Sequence, residues 1–249
     1  MSILLFLAIF IPTLLLQRWL HQHIQGLALA LTGNAGCAVR LLFYLLLPGI
    51  LLHEASHYIA ARLLFVKTNG VKIGVSQTRS KQISLGSVNI NHTDPVRESL
   101  IGIAPFVVGI GAIWLIAGIG FDLWPGRGLN LGKFIASTME YARDWTTWLG
   151  VYLIFAVSTA MIPSESDREP WGPVLTFIGA LVAILFLLGW TPTVPPNVIE
   201  TARQFIDALN FALGVALAVN ACVAGLLLLF EQTWRKMGGR PVEYRVKRK

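Results

Sequence analysis

The chain has 249 residues, of which 55% are hydrophobic and only 13% charged, with a mean hydropathy of +0.64. A soluble domain carries about a quarter of its residues as charges, so this composition excludes an ordinary water-soluble fold and indicates an integral, multi-pass membrane protein. The formal net charge of +7 does not point to nucleic acid: a run of Lys and Arg from Arg235 to Lys249 accounts for much of it, and beside a hydrophobic helix it reads as an anchor toward anionic lipid.

The opening segment, from about Ser2, is apolar and continues through Arg18 and His21-Gln-His23 toward Leu31, where Thr32-Gly-Asn-Ala-Gly36 breaks it. It has no charged leader and no small-residue cleavage site, so it is expected to remain as a span. A second span is predicted from near Val39 to about Val66, with Pro48-Gly49 kinking it just before His53-Glu54-Ala-Ser-His57. Val71–Val75 and Ile83–Ile90 then alternate apolar and polar residues around Thr78-Arg-Ser-Lys81, the pattern of a β-hairpin. Further spans are predicted over Ser99–Ile119, Trp145–Ile162, Val174–Trp190 and Val198–Trp234, with a short interfacial helix over Lys133–Arg143. The expected fold is an all-α polytopic membrane protein of about six transmembrane helices, with a small membrane-associated β-hairpin after the histidine-bearing helix. No linker divides it, so residues 1–249 read as one domain. Cys37 and Cys222 lie in apolar stretches without CxxC spacing and read as buried free thiols.

Charge supplies an orientation. With the C-terminus in the cytoplasm and six spans counted back, the hairpin region (Lys67, Lys72, Arg79, Lys81, Arg97), Arg168 and the tail all fall inside. Only Arg18, Arg40, Arg127, Lys133 and Arg143 fall on the other side, as the positive-inside rule prefers.

The residues that carry chemistry are His53-Glu54-Ala-Ser-His57, an HExxH motif. On a helix, positions i and i+4 lie on one face, so both imidazoles can share a metal ion. Zinc takes neutral imidazole nitrogen, needs a third protein ligand, and leaves a position for water whose pKa falls toward about 7. Glu54, one residue past the first histidine, is placed to move that water's proton. Two histidines and a glutamate inside an apolar helix are functional by default, because without partners they destabilise it; the plainer reading is a polar cluster that packs helices together. The third ligand has several candidates: His21, His23, His92, Glu165, Asp167 and Glu169. Depth favours Asp167, since the second and fourth spans run the same way and Pro163-Ser-Glu-Ser-Asp167 emerges beside HEASH. Ser164-x-x-Asp167 and Ser166-x-x-Glu169 equally fit capping boxes.

Together these residues resemble the site-2 protease family of intramembrane zinc metalloproteases. The resemblance covers about residues 40 to 170, in the order HEASH, hairpin, Gly102-Ile-Ala-Pro105-Phe-Val-Val-Gly109, then Ala160-Met-Ile-Pro163-Ser-Glu-Ser-Asp167. Helices over 1–33 and 172–234 and the tail 235–249 flank this core. The resemblance implies His53, His57 and Asp167 as zinc ligands, Glu54 as the catalytic carboxylate, Zn2+ as cofactor, and a membrane-protein or peptide substrate cut near the cytoplasmic boundary. A plasma membrane of bacterial type is the expected location. The chain departs from the family at Ser158 and Thr159, where an asparagine is usual, and at Arg168, where glycine is usual. Those departures keep open a catalytically inactive, protease-like scaffold or a subunit of a larger membrane-protein complex. A metal carrier using the histidines as a transient site ranks behind both, since no second broken helix answers the first.

Overall fold

The computed structural model describes residues 2–77, 83–124, 131–190 and 194–238. The expected hairpin turn at 78–81, the position of Arg127, and the tail from 239 onward lie outside the described residues. Among the described residues, nine helices and two strands follow in chain order: α1 (Ser2–Thr32), α2 (Ala35–Leu45), α3 (Leu47–Leu63), β1 (Thr68–Gln77), β2 (Ile83–Ile90), α4 (Pro95–Phe121), α5 (Leu131–Glu140), α6 (Trp145–Ala160), α7 (Glu165–Arg168), α8 (Trp171–Leu187) and α9 (Pro196–Lys236).

Local chemistry explains the boundaries. α1 runs unbroken past its two histidines and stops at Gly33, whose φ of 67° suits glycine. Asn34 caps α2, accepting from the backbone N–H groups of Gly36 and Cys37. The predicted kink falls between α2 and α3, which meet at 71°, with Pro48 in the first turn of α3. The Tyr152 hydroxyl donates to the Leu45 carbonyl at that break, 3.0 Å away. α4 begins four residues earlier than predicted, because Asp94 caps it and Pro95 takes its first position. The backbone N–H of Arg97 holds the Asp94 carboxyl below its usual range.

Four described helices are long and apolar enough to cross a bilayer: α1, α4, α7 with α8, and α9; the bent α2–α3 pair, if counted as one span, brings the number to five. The predicted fourth span is the shorter α6, of 16 residues. Pro163 disfavours helical backbone at Ile162, so α6 stops at Ala160. Leu4, Leu63, Phe177 and Leu187 are among many large apolar side chains that stay outward, an apolar surface far beyond that of a soluble monomer and suited to lipid. Between the helices, Leu20, Leu42, Ile113, Ile154, Phe211 and Val215 form the core. Gly49 lets α3 and α6 approach closely: a Cβ there would lie 2.0 Å from the Ala156 carbonyl oxygen. Both cysteines are free, as expected, but neither is buried: Cys37 is half-buried and Cys222 is exposed on α9.

Side-chain contacts fix the helix directions. Gln17 donates to the Ser158 carbonyl, Ser158 donates to Asn220 Oδ1 at 3.2 Å, and farther along both α1 and α9, His23 meets Glu231 at 2.9 Å. α1 and α9 are therefore parallel. Gly109 opposes Met161 and Gly102 opposes Asp167, so α4 and α6 are antiparallel; Phe10 against Phe106 aligns α1 with α4. α3 follows α6, with Gly49 beside Ala156 and His53 beside Ala160. Thus α1, α4 and α9 run one way, and α3 and α6 the other. α9 starts at the end of the bundle where the hairpin and α7 lie, and Arg235 and Lys236 lie at the opposite end. The charge-based orientation required the hairpin and the C-terminal basic residues to share one side. In the bundle, Arg235 and Lys236 instead stand at the end away from the hairpin, as the parallel course of α1 and α9 requires.

The hairpin forms as predicted, β1 pairing antiparallel with β2 through Thr68↔Ile90, Lys72↔Ser87 and Gln77↔Ile83. Register shifts fall near Gly70 and Gly74, which take φ of 116° and 148°. β2 packs against α3, which carries the HEASH turn.

Candidate metal centre and its cavity

α3 presents His53 and His57 on one face, and two backbone carbonyls orient them. His53 Nδ1 donates to the Ala160 carbonyl at 2.7 Å, and His57 Nδ1 donates to the Ile101 carbonyl at 2.9 Å. A carbonyl oxygen only accepts, so each Nδ1 carries the ring hydrogen and each Nε2 keeps its lone pair. Both carbonyls are available for a reason written in prolines. Pro105 has no N–H to donate back to Ile101 within α4. Ala160 closes α6 ahead of Pro163, so its carbonyl has no helical donor.

The two Nε2 atoms lie 3.1 Å apart. Asp167 reaches them from α7, with Oδ1 3.3 Å from His57 Nε2 and Oδ2 3.7 Å from His53 Nε2. One ligand atom from each of these residues lies within 4.8 Å of the others, a group that could hold a metal ion. Two imidazole lone pairs and a carboxylate turned toward one point repel one another unless a cation or a shared proton lies between them. This donor set, two neutral nitrogens and one carboxylate oxygen, fits zinc.

Asp167 also serves the other role its spacing allows. The backbone N–H and hydroxyl of Ser164 both donate to its Oδ2 at 2.7 Å, and its own N–H donates to Ser164 Oγ at 3.3 Å. The capping box orients the carboxylate rather than competing for it. A Cβ at Gly102 would lie 2.1 Å from the Asp167 carbonyl oxygen, so only glycine lets α7 settle this close to α4.

Glu54 is 6% exposed and lines the same cavity as the cluster. Its Oε2 has no hydrogen-bond partner among the described residues. β2 lies directly against it, and a Cβ at Gly86 would stand 2.6 Å from Glu54 Oε1.

A cavity of about 810 Å³ joins these groups, lined by His53, Glu54, His57 and Asp167, by Leu85–Val88 of β2, and by the proline-bearing start of α8. The other ligand candidates stay outside the three-residue cluster. His92 is fully exposed, 3.5 Å from Glu98. His23 pairs with Glu231. Glu165 and Glu169 are exposed; His21, His92 and Glu169 line the cavity without joining the cluster. The spacing predicted the histidines and brought Asp167 into view; it missed the roles of Pro105 and Ser164, although Ser164-x-x-Asp167 signalled the latter. A scan against protein-family models and searches of curated proteins and of solved structures found no match.

Proposed function

We propose that this chain is an intramembrane zinc metalloprotease that hydrolyses peptide bonds of membrane-protein substrates near the membrane boundary where α3 ends. The observation that carries this reading is the convergence of two tautomer-fixed histidines and Asp167 beside a buried Glu54 whose Oε2 has no hydrogen-bond partner among the described residues. His53 and His57 would hold the ion through Nε2 and Asp167 through its carboxylate. Zinc held there supplies a Lewis acid that brings the pKa of water toward neutrality. Glu54 takes the proton from the attacking water at its free Oε2, the peptide C–N bond breaks, and Glu54 returns the proton to the departing amine nitrogen. Excluding bulk water from this cavity strengthens each electrostatic contact within it. Among the described residues β2 has β1 as its one strand neighbour, and its Leu85–Val88 stretch lines the cavity. Its other edge can add an unwound substrate strand.

One observation favours a second reading, a catalytically inactive scaffold or subunit of a membrane assembly: Asp167 Oδ2 is already held by two donors from Ser164. Metal content of the full-length protein in detergent decides between them. On the protease reading, wild type retains about one zinc per chain, and both H57A and D167A lose most of it. E54Q keeps its zinc and loses cleavage. No zinc in wild type after reloading would sink the protease and leave the scaffold.

A further inference from the structure

His21 and His23 look like a pair in the sequence, but α1 sends them to different places. His23 stacks on Trp19 and pairs with Glu231, whereas His21 is the one residue of α1 that lines the metal-site cavity. His21 Nδ1 lies 3.2 Å from the Gln17 carbonyl one turn back. That carbonyl only accepts, so Nδ1 carries the ring hydrogen and Nε2 offers a lone pair. Nε2 has no hydrogen-bond partner among the described residues. An imidazole in a 30-residue apolar span, tied only to its own helix, is expected to meet a ligand.

Its position follows from its neighbours. Gln17 donates to the Ser158 carbonyl, while His53 is held farther along, at Ala160, and Asp167 farther still. α1 thus meets the cavity at its inner end, on the side of the metal site away from α7. Leu46 and Ile50, which precede His53 on α3, line that end together with Thr159. Thr159 turns its hydroxyl to the Phe155 carbonyl at 2.7 Å, which leaves His21 Nε2 as an acceptor in a largely apolar recess.

We propose that His21 is a substrate-contacting residue of the protease site, its Nε2 accepting a hydrogen bond from a backbone N–H of the unwound substrate. The proposal rests on the protease reading above. Unwinding a helix within a bilayer frees N–H groups that no lipid tail can satisfy. The open edge of β2 can pair those that face it. A strand projects alternate N–H groups to opposite sides, so the others need an acceptor across the cavity, where α1 supplies His21.

The test is binding to the zinc-loaded full-length protein in detergent, with zinc content measured for wild type, H21L and H21Q. The probes are acetyl-dileucine hydroxamate, its analogue N-methylated at the peptide nitrogens, and acetohydroxamate, which has no peptide. H21L should bind the dipeptide hydroxamate about tenfold more weakly than wild type, the effect of one lost hydrogen bond. H21Q, whose amide oxygen can accept, should recover most of that affinity. The N-methylated probe should bind wild type and H21L alike, and acetohydroxamate should bind all three alike at equal zinc content. Equal binding of the dipeptide hydroxamate to wild type and H21L overturns the contact. So does a parallel loss of acetohydroxamate or zinc, which would mean that His21 acts through the metal site. A wild type without zinc fails the protease reading in the metal assay, before any ligand is added, and the contact falls with it.

Discussion

Each candidate ligand is held by a hydrogen bond that leaves its metal-facing atom free: His53 by Ala160, His57 by Ile101, and Asp167 by Ser164. Removing such a support typically weakens metal binding roughly 10–100-fold. S164A strips the hydroxyl from Asp167 Oδ2 and should weaken zinc binding within that range, read by competition with a chromophoric chelator. An unchanged affinity would mean that α7 places the carboxylate without it. Gly86 offers a way to disturb Glu54 apart from the candidate ligands. G86A pushes a methyl group into Glu54 and leaves the histidines untouched, so zinc content should stay at the wild-type level. Hydrolysis of a helix-destabilised transmembrane test peptide should fall about 100-fold or more, the range lost with a displaced general base. A G86A protein that loses zinc instead would place the hairpin's influence on the metal rather than on Glu54.

At the scale of elements, two prolines end or interrupt hydrogen-bonded ladders where the site needs a free carbonyl. P105A tests this with two readouts that move in opposite directions. The new N–H at residue 105 can donate to Ile101, and removing a helix-interior proline relieves about 3 kcal/mol of backbone penalty. The thermal midpoint should therefore rise or hold. Zinc affinity should fall roughly 10–100-fold, because His57 loses its acceptor. If both fall together, Pro105 matters for packing in α4 rather than for the histidine. HEASH was legible from spacing because the period of one helix places i and i+4 side by side. The Pro105–Ile101–His57 relation was not, since the proline and the histidine belong to helices joined only through the fold.

At the scale of the molecule, the parallel course of α1 and α9 has a measurable consequence. In a chain whose Cys37 and Cys222 are replaced by serine, cysteines at Lys67 and Lys236 should react with a membrane-impermeant maleimide from opposite sides of a sealed vesicle. Labelling from one side would restore the strict alternation of six spans and require α9 to run the other way.

The amino-acid sequence by itself determined what depends on near neighbours: the apolar helices, the break at Pro48-Gly49, the hairpin alternation, the HEASH face and the cap at Ser164. Propensity, periodicity and capping act within a few residues, so one segment suffices to read them. Only the tertiary structure decided which carbonyls meet His53 and His57, that Asp167 caps α7 and faces them at once, and that His21 and His23 part company. It alone decided the direction of α9 as well. Those outcomes depend on contacts such as Gln17 with Ser158 and His23 with Glu231, between residues far apart along the chain. Hydropathy is blind to them because an apolar helix has the same composition whichever way it crosses.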